Sequence, residues 1–177
     1  MRGRGVTAAL GLLALVGCST TTAPDAAPPS TAGRSVATAE VTTLTCAAAI
    51  DGDPPPPDYA TVLDVVALPT GRVLGAYDSG DPTAPALFAK TGLVVRAHAS
   101  FELEVGQQTD DASIGWGNVS FRPSRRFVVP GCPDTYGTGW LAYPGGYWAD
   151  QPLCLPISVR SEGREQQVHI GVGTGCP

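Results

Sequence analysis

Hydrophobic positions fall along this chain in three regimes. Val6 to Val16 (VTAALGLLALV) is apolar without a break, directly after Arg2 and Arg4. From Ser19 to Glu40 the residues are mostly Ser, Thr, Ala and Pro, with no aromatic and no apolar period. Such a stretch buries too little surface to offset its ordering entropy. Beyond it the chain becomes a series of short apolar or alternating runs divided by turn residues. Val62–Leu68 (VLDVVAL) is apolar and rich in β-branched residues, and Pro69-Thr70-Gly71 then turns the chain so that Arg72–Tyr77 returns as a second strand. Pro54 to Pro57 precede them and are extended, because proline disfavours the helical region for the residue before it. Ala86–Lys90, Leu93–Arg96, Ser113–Asn118, Phe127–Val129, Trp140–Tyr143, Leu155–Arg160 and Gln167–Val172 read as further strands. Phe101–Val105 alternates most clearly, with Phe101, Leu103 and Val105 inward and Glu102 and Glu104 outward. Ser161-Glu162-Gly163 is a hairpin turn between the last two strands. No window carries a 3.6-residue apolar stripe. The pattern predicts an all-β domain: a two-sheet antiparallel β-sandwich, with an immunoglobulin-like arrangement as one form of it and a small barrel as the alternative.

The 177 residues divide accordingly. Residues 1–17 form an export leader, whose apolar run falls well short of the ~20 residues needed to span a bilayer. Residues 18–40 form a tether, and residues 41–177 a single domain. Leu15-Val16-Gly17-Cys18 resembles the bacterial lipobox at all four positions. That resemblance implies diacylglycerol in thioether linkage on Cys18, cleavage between Gly17 and Cys18, and a chain held on the outer face of a cell membrane. One buried acyl chain anchors only marginally, and two or three on one cysteine anchor stably.

Charge narrows the partners. The formal net charge is −5, and loss of Arg2 and Arg4 with the leader takes it to −7. An acidic chain with scattered arginines is a poor nucleic-acid ligand and gains nothing from an anionic bilayer. The membrane contact therefore falls to the lipid on Cys18. Nothing in the sequence asks for a cofactor.

Five cysteines are present. With Cys18 assigned to lipid, Cys46, Cys132, Cys154 and Cys176 make an even set in an exported domain, which suggests two disulfides. The absence of CxxC pairs argues against a four-thiolate metal site. Three pairings are open. The favoured one joins Cys46 with Cys176, at the domain's two ends, and Cys132 with Cys154, around the aromatic segment.

That segment carries the main candidate site. Tyr136, Trp140, Tyr143, Tyr147 and Trp148 are interleaved with Gly137, Gly139, Gly145 and Gly146. Rings beside glycine loops suit stacking on sugars, and Tyr143, Tyr147 and Trp148 are the candidate ligand-binding residues. Core packing is the competing explanation, strongest for Trp140 and Trp116. Adjacent Tyr147 and Trp148 would point to opposite faces of a strand. No catalytic residues stand out. His98 lies at a bend, His169 sits in a strand facing away from Val168 and Ile170, and no GxSxG elbow accompanies them. Asp51-Gly52-Asp53 and Asp110-Asp111 read as solvated turns, not metal loops. Glu102 and Glu104 read as a charged outer face, and Arg125-Arg126 as a basic spot too small for a nucleic-acid site. Asn118-Val119-Ser120 matches a glycosylation sequon, which a bacterial address makes irrelevant.

The stretches Lys90–Arg96, Gly115–Asn118, Val129–Cys132 and Trp140–Trp148 resemble small secreted proteins and lipoproteins of actinobacteria. The resemblance implies a compact cysteine-bridged β domain and names no activity. The expected function is a non-enzymatic, surface-tethered binding module for a protein or envelope component. A carbohydrate- or peptidoglycan-binding domain is the first alternative and an envelope hydrolase the second.

Overall fold

A computed structural model describes residues 41–109, 111–117 and 123–177. Cys18 with its leader and tether lies outside the described residues, as do Asp110 and the Asn118-Val119-Ser120 sequon. The strands, in chain order, are β1 (Val41–Thr43), β2 (Ala60–Val62), β3 (Val66–Leu68), β4 (Val73–Leu74), β5 (Tyr77–Asp78), β6 (Leu87–Lys90), β7 (Leu93–Arg96), β8 (Phe101–Val105), β9 (Ser113–Trp116), β10 (Arg126–Val129), β11 (Trp140–Tyr143), β12 (Gly145–Ala149), β13 (Leu153–Ser161) and β14 (Arg164–Val172). Among the described residues the only helical element is the 3₁₀ turn Cys46–Ala48. The all-β expectation holds.

The strands form three sheets where two were expected: β1-β10-β8-β13-β14-β4, β11-β7-β3-β2 and β5-β6-β12-β9. The two smaller sheets share one ribbon. Leu93 pairs with Tyr143 and Lys90 with Gly146 in a single continuous register, and the Thr91 amide bridges the gap to the Gly145 carbonyl at 2.9 Å. The interruption falls at Pro144, which has no N–H to give the ladder. A six-stranded sheet therefore faces a second layer divided at that point. Between them lies one core, built from Leu103, Phe127, Leu155, Ile157 and Ile170 on one side and Leu68, Leu93, Val95, Ile114 and Tyr147 on the other. Trp116 joins the layers, edge-on to Phe127 at 5.6 Å and to Tyr147 at 5.3 Å. Each such pair adds about 0.5–1.5 kcal/mol beyond its buried area. A second small cluster, Ala67, Val94 and Trp140 with Tyr59 and Ala142, covers the outer face of the β11-β7-β3-β2 sheet.

Strand β8 alternates as read: Phe101, Leu103 and Val105 are buried, and Glu102 and Glu104 are not. The Ser161–Arg164 hairpin turns through Glu162 and Gly163, both at positive φ. Three readings are corrected. Val62–Leu68 is a hairpin, not one strand: Leu63 and Asp64 take φ of 50° and 61°, and the Val65 amide closes back on the Val62 carbonyl at 3.1 Å. Asp64 is the one polar residue in the run, and the turn carries no glycine or proline to mark the reversal. Arg72–Tyr77 does not return as one strand but is shared between β4 and β5, in different sheets. Gly145–Ala149, read as loop, is strand β12 in the middle of its sheet. Its glycines serve close approach: a Cβ on Gly146 would stand 2.2 Å from the Ala89 carbonyl oxygen.

The cysteine pairing also differs. All four cysteines are bridged, but as Cys46–Cys132 and Cys154–Cys176, not Cys46–Cys176 and Cys132–Cys154. Strands β1 and β10 run parallel with Thr43 opposite Val128, so the residues just beyond them, Cys46 and Cys132, emerge together with Cα atoms 5.4 Å apart. Past β14 the chain turns at Gly173 and brings Cys176 back beside Cys154, 4.9 Å away. The two bridges close opposite ends of the six-stranded sheet.

Candidate functional site

The rings singled out in sequence separate by the alternation of strands. Tyr143 and Tyr147 point into the core at 0% and 1% exposure. Neither hydroxyl has a hydrogen-bond partner, and burial pushes both phenols above their ordinary range. They cannot serve as a stacking platform. Trp148 points outward and stacks on Phe88 with ring centroids 4.4 Å apart. Phe88 lies opposite both Trp148 and Tyr77, so Tyr77, Phe88 and Trp148 form a row across three neighbouring strands, with Tyr77 73% exposed. Tyr77 and Phe88 were not singled out in sequence, because cross-strand register is not a local signal.

A second constellation gathers at the Cys46–Cys132 end. Asp134 is its pivot. Its carboxylate accepts from the amides of Gly139 at 2.9 Å and Gly137 at 2.8 Å. The Gly139 bond most of all holds the carboxyl below its ordinary range; burial, next in size, opposes it, and the amides of Gly137, Thr138 and Tyr136 add to the lowering. The 134–139 loop so formed docks on residues 49–52: the Tyr136 hydroxyl donates to the Ala49 carbonyl at 3.3 Å, and Thr138 Oγ1 donates to the Gly52 carbonyl. Gly52 is required there, since a Cβ would lie 2.3 Å from that of Tyr136. Ile50 and Tyr136 stay 64% and 45% exposed. Arg96 caps Trp140 with its guanidinium carbon 4.0 Å from the ring centroid, a cation–π contact.

The neighbouring turns belong to the same end. The His98 amide donates to the Cys132 carbonyl at 2.7 Å, Ser161 Oγ to the Ser100 carbonyl at 2.9 Å, and Arg164 to the Leu63 carbonyl at 3.2 Å. Among the described residues, Leu63, Asp64, His98 and Glu162 are the non-glycine positions with positive φ, and all four lie in these turns. Left-handed backbone costs an L-residue about 1–2 kcal/mol. Such strain persists only where the surroundings over-determine it, and it concentrates at functional sites.

The other candidates resolve as structure. Glu102 and Glu104 lie in an outer-face ladder: Arg126 meets Glu102 at 2.6 Å, and Arg160 meets Glu102 at 3.4 Å, Glu104, and Glu165 at 3.1 Å. Those bonds raise both guanidinium pKa values and lower that of Glu165. Arg125 is spent on the carbonyls of Thr109 and Gly106. Asp51 accepts from the amides of Gly52 and Asp53, forming a turn. His169 is exposed beside Pro156, at the other end of the molecule. Among the described residues no group of three or more His, Cys, Asp or Glu side chains is placed to hold a metal, and no helix is long and apolar enough to cross a membrane. No protein-family model matches the chain, and no curated protein matches it in sequence.

Proposed function

We propose that this chain is an extracytoplasmic lipoprotein, anchored through lipid on Cys18, whose β domain is a non-enzymatic module that binds a protein of the cell envelope through its Cys46–Cys132 end. One observation carries the reading: the four strained non-glycine residues gather in turns at the end where a bridge and Asp134 fix the loops. Loops held rigid before binding lose little entropy on association. The surface they offer, Ile50, Tyr136 and Arg96, includes Tyr and Arg, residue types that dominate interface energies.

The test is photocrosslinking in the producing cell, with a benzophenone amino acid at position 136 and, as control, at position 169 on the opposite end. The reading expects a discrete protein adduct from 136 and none from 169. Adducts from 169 alone, or from neither, would overturn it.

The aromatic row favours a second reading, binding of an envelope saccharide. Tyr77, Phe88 and Trp148 span two strand spacings, about 9.5 Å, and present ring surface at the sheet's outer face. Binding of soluble peptidoglycan fragments that is lost in both Tyr77→Ala and Trp148→Ala variants would establish it in place of the first. Unchanged binding in those variants would dismiss it.

A further inference from the structure

Residues 52–58 (GDPPPPD) cross the molecule in the open. Asp51 is bridged to Ala142 on β11, one edge of its four-stranded sheet, and Tyr59 leads into β2, the other edge. Tyr59 packs on the outer cluster of that sheet, so the intervening strap carries the chain from edge to edge. Each proline fixes its own φ near −65° and pushes the residue before it into extended backbone. The run Asp53–Pro56 is therefore held in the polyproline II region, a helix of three residues per turn.

Burial along the strap has that period. Gly52 is buried and Pro55 and Asp58 are half-buried, while Asp53, Pro54, Pro56 and Pro57 are exposed. One ridge in three faces the protein, and the ridge carrying Pro54 and Pro57 faces solvent. Both ends are pinned. Upstream, Gly52 lies against Tyr136 and accepts from Thr138. Downstream, the Tyr59 amide turns back to the Pro56 carbonyl at 3.0 Å, Asp58 pairs with Arg72 at 3.0 Å and accepts the Gly71 amide at 3.1 Å, and the Tyr59 hydroxyl meets Thr91 Oγ1 at 2.6 Å.

We propose that this strap is a preformed proline-ridge ligand for a protein domain whose surface carries a groove of parallel aromatic rings beside cationic side chains. Pro54 and Pro57, spaced P-x-x-P on one exposed ridge, would fill successive slots between the rings. Aromatic-lined grooves read this conformation because it is already formed and loses little entropy on binding. The cationic rim follows from exposed Asp53 and from the chain's net charge of −5. The Pro54 and Pro57 ridge meets the loop end only at Gly52 and presents other side chains than Ile50, Tyr136 and Arg96, so either proposal can fail alone.

The test uses the full chain in detergent micelles, with an isolated SH3 domain and an isolated WW domain, each chosen for a basic rim beside its aromatic groove, as immobilised probes in biolayer interferometry. At least one module is expected to bind saturably, more weakly as salt rises. The Pro54→Ala/Pro57→Ala variant should lose at least tenfold in affinity and His169→Ala, an exposed residue that touches no part of the strap, less than twofold, with thermal midpoints confirming that each is folded. If the double variant is unfolded, single Pro54→Ala carries the comparison, with at least a threefold loss. Failure of both modules to bind the parent chain, or binding indifferent to these substitutions, overturns the proposal. So does concentration-dependent self-association that the same variant abolishes, because the ridge would then be an interface between copies.

Discussion

Removing one bridge at a time puts the cysteine pairing and its energetics to the same test. The Cys46–Cys132 bond spans 86 residues and Cys154–Cys176 spans 22. In the chain-entropy account the closures restrict the unfolded chain by about 4.6 and about 3.4 kcal/mol respectively at 25 °C. Against a typical stability of about 5–15 kcal/mol, either loss is large. Cys46→Ala/Cys132→Ala should therefore be the more damaging double variant, by about 1 kcal/mol, and each should still hold the other bond. The assay is urea unfolding of both variants under non-reducing conditions, with free thiols titrated in denaturant. Thiol content should match the parent chain in each. The refuting result is unambiguous. Were Cys46 bonded to Cys176 and Cys132 to Cys154, each variant would lose both bridges, expose two thiols and unfold at a similar midpoint.

Tyr147→Phe removes a buried hydroxyl that has no partner, so it should stabilise by about 1–3 kcal/mol; a destabilised variant in thermal unfolding would contradict this placement. Gly146→Ala forces a methyl against the Ala89 carbonyl and should cost at least about 2 kcal/mol in urea unfolding, whereas a residue in a loop would tolerate the change. The Asp134 carboxyl is held low by loop amides, so its contribution is complete above the ordinary carboxylate pKa of about 3.9 and fades as pH falls through the lower folded value. Hydrogen-exchange protection factors of the Gly137 and Gly139 amides should drop below about pH 4 in the parent and lose that pH dependence in Asp134→Asn; a parent flat through that range would refute it.

What the sequence revealed was whatever local pattern encodes. Alternation placed β8, and Glu162-Gly163 marked the last hairpin, because side-chain period and turn chemistry are written within a few residues. Alternation also foretold that Tyr147 and Trp148 would part to opposite faces, without saying which would be buried. The reversal at Leu63-Asp64 was hidden because it sits in an apolar run without glycine and begins at a leucine, which rarely takes left-handed backbone. Gly145-Gly146 suggested a loop, whereas here glycine makes room for neighbouring strands. The bridges were misassigned for a related reason: which cysteines meet depends on the parallel register of β1 on β10, a pairing between segments far apart in sequence. Of the three rings named in sequence, Trp148 lies on an outer face and Tyr143 and Tyr147 lie in the core. Tyr136 holds the exposed position that Tyr143 and Tyr147 were expected to share. Of the strained turns that define the loop end, those at His98 and Glu162 were legible as a bend and a hairpin, but their gathering at one end depends on strand pairing that no local pattern encodes.

Intact mass spectrometry of the chain purified from its own membranes tests the anchored-module account most directly. A polypeptide beginning at Cys18 and carrying the added mass of a diacylglyceryl group, absent when Cys18 is replaced by alanine and the protein leaves the membrane fraction, is the predicted result. An unmodified N-terminus, or membrane association indifferent to that replacement, would contradict it.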